Sequence, residues 1–100
     1  MSHEATIQVA CEVTPSGWRC TVEVDDGRSS GRHDVTVATE DAERLAVARG
    51  QGDVERLVYE AFDFLLDREP RSSVLATFDL SVVESYFPGF DAEMARRLAP

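Results

Sequence analysis

The 100-residue sequence contains no lysine and no asparagine, and it has only two cysteines and two histidines. No segment approaches the ~20 consecutive apolar residues that a membrane-spanning helix requires. The N-terminal segment carries an acid at Glu4 and lacks the apolar core of a signal peptide. These absences predict a cytoplasmic protein that does not bind membranes and whose cysteines are reduced.

The positive charge comes entirely from arginine, and ten arginines stand against 19 acids, for a formal net charge of −9. Nucleic acids and anionic lipids are polyanions, so this charge disfavours them as non-specific partners. The charge is compatible with a basic protein partner. The apolar fraction of 43% is typical of a globular chain, and the length suits a single domain, residues 1–100.

Three segments in the first third alternate between apolar and polar residues, which predicts strands with one buried face. Their apolar positions are Ile7, Val9, Cys11 and Val13, then Trp18, Cys20, Val22 and Val24, and then His33, Val35 and Val37. Pairing Val13 with Trp18 keeps the apolar faces together, whereas a slip by one residue would set apolar against polar throughout. We therefore predict an antiparallel three-stranded meander over about residues 5–38.

The middle of the chain predicts two helices. A short one begins near Thr39, and a long central helix covers about residues 54–69, before Pro70. The long helix has apolar residues at the i, i+3, i+4, i+7 spacing of a buried face, and Tyr59 and Phe64 widen its apolar arc to roughly 220°. One sheet face cannot cover an arc that wide, so a second layer must come from the C-terminal segment.

We predict that this segment forms short helices. The first covers "VLATF", the second begins with a capping box of Ser81 and Glu84, and the last is capped by Asp91. The predicted fold is therefore α+β. Its three-stranded antiparallel meander is packed on one face by the short helix, the long central helix and the short C-terminal helices.

The predicted register places Cys11 beside Cys20, which makes them a candidate thiol pair. The residues favour two buried free thiols that act as small apolar side chains. A redox-sensitive pair and a metal site are the alternatives. His33 could add a third metal ligand, but a fourth could come only from His3, so we expect no metal and no cofactor.

The polar side of the long helix carries Arg56, Glu60, Asp63 and Asp67. The three carboxylates, at positions i, i+3 and i+7, could contact a cation or a basic partner. A solvated helix face explains the same pattern and is the favoured interpretation. Glu60, Asp63 and Asp67 are kept as candidate partner contacts.

Four of the eight aromatic residues fall in "FDLSVVESYFPGF", Phe78 to Phe90. They could complete the core against the flank of the long helix beside Phe64. Alternatively, Tyr86 and Phe87 could project outward as anchors for a protein partner, since aromatic residues are favoured in interface cores. The wide apolar arc favours burial, and Tyr86 and Phe87 are the candidate contacts if any of the four stays outside.

Sequence motifs of catalysis are missing. There is no nucleophile elbow, no P-loop and no dinucleotide fingerprint. His33 lies on the predicted apolar face, where a structural histidine is favoured over a general base. We therefore predict that the protein is not an enzyme.

The run "FDFLLDREPRSSVL", which precedes "FDLSVVESYFPGF", resembles the ending of a group of small bacterial proteins. These combine a strand-rich first half with a Phe-Leu-Leu-x-Arg-Glu-Pro helix end and a Phe-Asp-Leu-Ser...Tyr-Phe-Pro tail. The resemblance implies that the tail is an integral part of the domain. It implies no activity and no catalytic residue.

The strand "HDVTV" followed by "EDAERLAVAR" and "VERLVYEAFDFLLDRE" is similar to the element order of ribbon-helix-helix regulators. That resemblance implies a dimer formed by pairing this strand, and DNA contact through its outward residues, here Arg32, Asp34 and Thr36. Asp34, the net charge and the two preceding strands oppose this interpretation.

Three hypotheses for function follow. The favoured one is a non-enzymatic cytoplasmic module that acts through protein–protein contacts, with an unidentified and basic protein or a second copy of the chain as its partner. The alternatives are a small ribbon-helix-helix-like transcriptional regulator or antitoxin, and a small-ligand-binding domain.

Overall fold

A computed structural model describes residues 5–46 and 50–99 of the chain. Its elements, in chain order, are β1 (Thr6–Thr14), β2 (Gly17–Asp25), β3 (Ser30–Ala38), α1 (Thr39–Ala46), α2 (Gln51–Leu66), a 3-10 turn (Arg71–Ser73), β4 (Thr77–Asp79), α3 (Ser81–Tyr86) and α4 (Phe90–Leu98). The fold is α+β, as predicted, and the helices pack on one face of a sheet with the strand order β1-β2-β3-β4.

The predicted register of the meander is confirmed. Val13 pairs with Trp18, and Cys11 pairs with Cys20. The hairpin is tighter than predicted, because Thr14 also pairs with Gly17 and leaves a two-residue turn. A Cβ atom at Gly17 would clash with the carbonyl oxygen of Val37, and its φ of 152° also favours glycine.

The sheet has a fourth strand, which corrects the prediction of three. β4 pairs in parallel with β3 and sets Phe78 beside Val35. Backbone hydrogen bonds run from Asp34 N–H to the carbonyl of Ala76 at 2.8 Å, and from Leu80 N–H to the carbonyl of Thr36 at 2.9 Å. The predicted helix over "VLATF" is therefore wrong. The alternation of apolar and polar residues could not reveal this strand, because three residues are too few to show a period of two.

Helix α2 is the central helix, and it begins and ends about three residues earlier than predicted. Its predicted apolar positions are all buried: Val54, Leu57, Val58, Ala61, Phe62, Leu65 and Leu66. Phe64 is buried as well, by the C-terminal segment, with its ring edge-to-face with Phe87 at 5.7 Å and with Phe90 at 5.4 Å. The predicted second layer is therefore present on the Phe64 side, whereas Tyr59 is 42% exposed.

One edge of the sheet is the outer side of β1, and a side chain of α2 covers the middle of this edge. Cys11 donates its backbone N–H to the carboxylate of Glu55 at 2.9 Å, and Gln51 donates to the same oxygen at 3.0 Å. Both hydrogen bonds lower the pKa of Glu55, and the bond from Cys11 has the larger effect.

The opposite face of the sheet is polar, with exposed side chains of Gln8, Glu12, Arg19, Glu23 and Arg32. In the described parts of the chain, no helix is both long enough and apolar enough to cross a membrane.

Candidate functional site

An apolar depression on the surface lies between the end of α2 and α3. It encloses about 320 Å³, and Tyr86 and Leu75 at its mouth are 72% and 53% exposed. Its lining, named here the Tyr86 groove, consists of Leu65, Glu69, Ser73, Val74, Leu75, Phe78, Val82, Val83, Tyr86 and Phe87. Two other depressions lie on the open face of the sheet, where the lining is mostly polar or charged.

The position of α3 beside the groove is set by Asp79 at the end of β4. Its carboxylate accepts hydrogen bonds from the Thr36 hydroxyl at 2.6 Å, and from the Ser81 hydroxyl at 2.7 Å and backbone N–H at 3.1 Å. Partial burial raises the pKa of Asp79, but these bonds outweigh it and lower the pKa overall. Asp79, and not Ser81 as predicted, is therefore the side chain that accepts a backbone N–H at the start of α3.

Helix α3 is held from its other side by Arg44 of α1. The guanidinium donates to Asp41 at 3.0 Å and to Glu84 at 2.8 Å, and it also pairs with Asp91 of α4. Glu84 thus bonds to a neighbouring helix and not to Ser81, which corrects the predicted capping box. These carboxylates, first Asp41 and then Glu84, raise the pKa of Arg44.

The buried His33 supports the groove from the core. Its ring is 1% exposed and packs on Phe62 at 5.4 Å, and Nδ1 lies 2.7 Å from the carbonyl oxygen of Leu75. Because a carbonyl can only accept, Nδ1 carries the proton of this bond. Nε2 is buried and has no hydrogen-bond partner among the described residues, so a substrate in solvent cannot reach it. His33 therefore fixes the backbone at Leu75.

The two aromatic residues predicted as candidate partner contacts differ in their exposure to solvent. Tyr86 points into solvent at the mouth of the groove, whereas Phe87 is half-buried against Phe64. Phe78 and Phe90 lie in the core. Of the four aromatic residues in "FDLSVVESYFPGF", Tyr86 alone is largely exposed.

The three acidic candidates, Glu60 and Asp63 of α2 and Asp67 directly after it, contact a basic residue of the same chain. Arg97 of α4 donates to Glu60 at 3.1 Å and to Asp63 at 2.8 Å, and lies 4.0 Å from Asp67. It also donates to Glu93 at 2.7 Å. Partial burial lowers the pKa of Arg97, but hydrogen bonds to Glu93, Asp63 and Glu60 outweigh it and raise the pKa overall. The acidic strip thus helps to attach α4 to α2.

We expect Arg97→Ala to lower the free energy of unfolding by about 1.5–3 kcal/mol, the range for hydrogen bonds to charged groups. The Arg97 side chain is only 16% exposed, so its loss leaves several carboxylates close together and poorly solvated. Urea unfolding at pH 7 and pH 4 measures the effect. The loss should be smaller at pH 4, because hydrogen bonds to Arg96 and Arg97 lower the pKa of Glu93 to about 2, and the stability that this shift contributes is lost progressively as the pH falls below the ordinary pKa of a glutamate.

The matched control for this prediction is the adjacent residue. The Arg96 side chain is 71% exposed, and among the described residues it pairs only with Glu93, so Arg96→Ala should change stability little. Equal losses in the Arg96 and Arg97 variants would show that the cluster does not attach α4.

The two cysteines are joined in a disulfide, which differs from the favoured prediction of two free thiols. Their Cα atoms are 4.0 Å apart, and the Cys11 N–H is donated to Glu55 and not to β2. These are features of a non-hydrogen-bonded pair, in which the side chains approach most closely. The prediction of free thiols rested on the expected compartment, whereas the register already placed the sulfurs within bonding distance.

No group of three or more histidine, cysteine or acidic residues that could hold a metal occurs within residues 5–46 and 50–99. His3, considered above as a metal ligand, lies outside these ranges. Comparisons with protein-family models, with curated proteins and with solved structures found no match. The resemblance of the C-terminal segment to a group of small bacterial proteins stays a prediction.

Sequence reasoning missed Leu75 and Glu69 as residues of the groove. Leu75 was placed in a helix, and only the extended backbone that leads into β4 turns it outward. Glu69 is the last residue of the predicted long helix, whereas α2 ends at Leu66. Neither residue carries a periodic signal that would have placed it in the groove.

Proposed function

We propose that this protein is a non-enzymatic module that binds another protein through the Tyr86 groove. The observation that supports this function is a Tyr86 side chain that is 72% exposed beside a depression lined by apolar side chains. Exposed apolar patches with a polar surround mark interaction sites in many proteins. Tyrosine is also enriched among the residues that contribute most to binding.

The ribbon-helix-helix alternative receives less support. In that arrangement the strand pairs with the same strand of a second subunit. Here β2 pairs along the whole of one side of β3, and β4 occupies the centre of the other side at Asp34, Val35 and Thr36, where a second β3 would have to pair. The outward residues Arg32 and Asp34 also pair with each other at 3.3 Å.

The small-ligand alternative is favoured by one observation. The groove volume of about 320 Å³ lies at the lower end of the roughly 300–1,000 Å³ that ligand pockets span. The high exposure of Tyr86 and Leu75 favours a protein partner, because a small ligand would leave both side chains largely in water.

A cytoplasmic site of action belongs to the same proposal, and it rests on the absence of a long apolar run. Disulfides are rare in that compartment, where thiol systems keep cysteines reduced. Cys20 is 0% exposed and Cys11 is 5% exposed. This burial limits the access of an attacking thiolate to the disulfide.

We expect Tyr86→Ser and Leu75→Ser to weaken binding of the natural partner by at least about tenfold. Both side chains are exposed, so neither change should affect folding. The partner is captured from the host with the tagged full-length protein, purified, and titrated against each variant by calorimetry. Light scattering of the free protein reports whether the partner is a second copy.

Two exposed apolar residues away from the groove serve as matched controls. Tyr59→Ser and Val13→Ser remove side chains that are 42% and 71% exposed, and they should leave the affinity unchanged. A Tyr86→Ser variant that binds as tightly as the wild type, or controls that weaken binding equally, would exclude the groove as the docking site.

A further inference from the structure

The charge at the Tyr86 groove is a single carboxylate. Among the lining residues, Glu69 is the one acidic or basic side chain, and it is half-buried. No ion pair or side-chain hydrogen bond of Glu69 occurs among the described residues. A carboxylate beside an apolar surface is poorly solvated when that surface is covered, so a partner that covers it must supply a cation or a donor.

The arginines on either side of Glu69 in sequence both bond elsewhere. The Arg68 guanidinium lies 3.6 Å from the centroid of the Phe64 ring, and its Nη1 donates to the carbonyl of Phe64 at 2.9 Å. Arg71 donates from Nε to the hydroxyl of Ser29 at 3.1 Å, and its guanidinium lies against Gly31. The groove therefore presents a negative charge even though two cations are close in sequence.

Folding does not explain the acid at this position. Glu69 follows the C-terminal end of α2, where the helix dipole places partial negative charge and favours cations. The last turn of α2 contains no basic residue. Glu69 therefore does not stabilise this end of α2 through the helix dipole.

We infer that the partner is a protein segment that places one large apolar side chain in the Tyr86 groove and a neighbouring arginine or lysine on Glu69. This inference rests on the proposed function and specifies its partner. The small volume accepts a single anchor side chain and not the whole face of a helix. The net charge of −9 favours the approach of a cationic segment over distance.

The test uses a displayed library of random 12-residue peptides, selected on the full-length protein and counter-selected on Tyr86→Ser. We expect the recovered peptides to share a large apolar residue with an arginine or lysine beside it. Binding of a synthetic consensus peptide is then measured by fluorescence anisotropy. Glu69→Gln should weaken it about fivefold, as expected for a partly exposed ion pair.

Charge reversal gives the sharper result. Glu69→Arg should abolish binding of the basic consensus peptide, and a peptide with glutamate in place of its basic residue should recover binding to this variant. Glu23→Gln, an exposed acid on the open face of the sheet, is the matched control and should bind like the wild type. The melting temperature of each variant confirms that it is folded.

The outcomes separate the inference from the proposed function. Peptides that need Tyr86 but carry no basic residue, or that bind Glu69→Gln as tightly as the wild type, would overturn the inference and leave the docking site in place. Failure to recover any peptide that depends on Tyr86 would count against both. Binding of a small apolar amine in place of every peptide would favour the ligand alternative and also overturn the inference.

Discussion

Replacing Phe90 by alanine is expected to lower the free energy of unfolding by about 3–5 kcal/mol, the range for large-to-small changes of buried aromatic residues. Phe90 begins α4, is 0% exposed, and packs edge-to-face on Phe64 at 5.4 Å. The substitution would leave a cavity between α4 and α2 and remove an aromatic pair. Urea unfolding followed by circular dichroism measures the change.

Two further variants keep this prediction testable if the alanine variant does not fold. Phe90→Leu conserves most of the volume and should lose less than about 1.5 kcal/mol. Phe87→Ala removes a half-buried ring that packs on the same Phe64, and its effect should be smaller than that of Phe90→Ala. If Phe87→Ala proved the more harmful of the two, the C-terminal layer would not be anchored at Phe90.

Removing the disulfide should lower the free energy of unfolding by about 2.5 kcal/mol, from the entropy of closing a loop between residues nine apart. The bond joins β1 to β2 near the centre of their pairing, beneath the helices. Urea unfolding with and without a phosphine reductant, compared with a Cys11→Ala, Cys20→Ala double variant, measures this contribution. The reduced protein and the double variant should be similarly destabilised.

The double variant is also the control, since reductant should not change its stability. An unfolding curve of the wild type that is the same with and without reductant, together with two titratable thiols in the untreated unfolded protein, would show that the bond does not form. Acid-quenched thiol trapping in cell extracts then reports its state in the compartment where the protein acts.

The three-stranded meander was predictable, because a slip by one residue would set apolar residues against polar ones. Once Val13 faces Trp18, each residue on the inward side of β1 meets an apolar residue on β2, in the pairs Ile7–Val24, Val9–Val22 and Cys11–Cys20. The need for a second layer could also be derived, since Phe64 widens the apolar arc of α2 beyond what one sheet can cover. Both conclusions rest on periodic patterns that extend over nine residues or more.

The groove was not predictable in the same way, because its walls come from contacts distant in sequence. β4 is three residues long, and it is a strand because Asp34, Val35 and Thr36 of β3 pair with it. Leu75 faces outward because His33, 42 residues away, holds its carbonyl. Tyr86 was identified from composition as an alternative, but its exposure depends on which aromatic neighbours fill the space beside Phe64.

The bond between Glu55 and the edge of β1 bears on the solubility of the chain. A strand of another molecule that added to this edge would have to bring a carbonyl to the Cys11 N–H, where a carboxylate is already bound. The added strand would meet the negative charge of Glu55 near the centre of the nine-residue edge. Gln51 donates a hydrogen bond to that carboxylate and helps to fix its position. Natural sheets use inward-pointing charges in this way against fibril growth. The Glu55 carboxylate therefore opposes the pairing of β1 with a strand of another molecule.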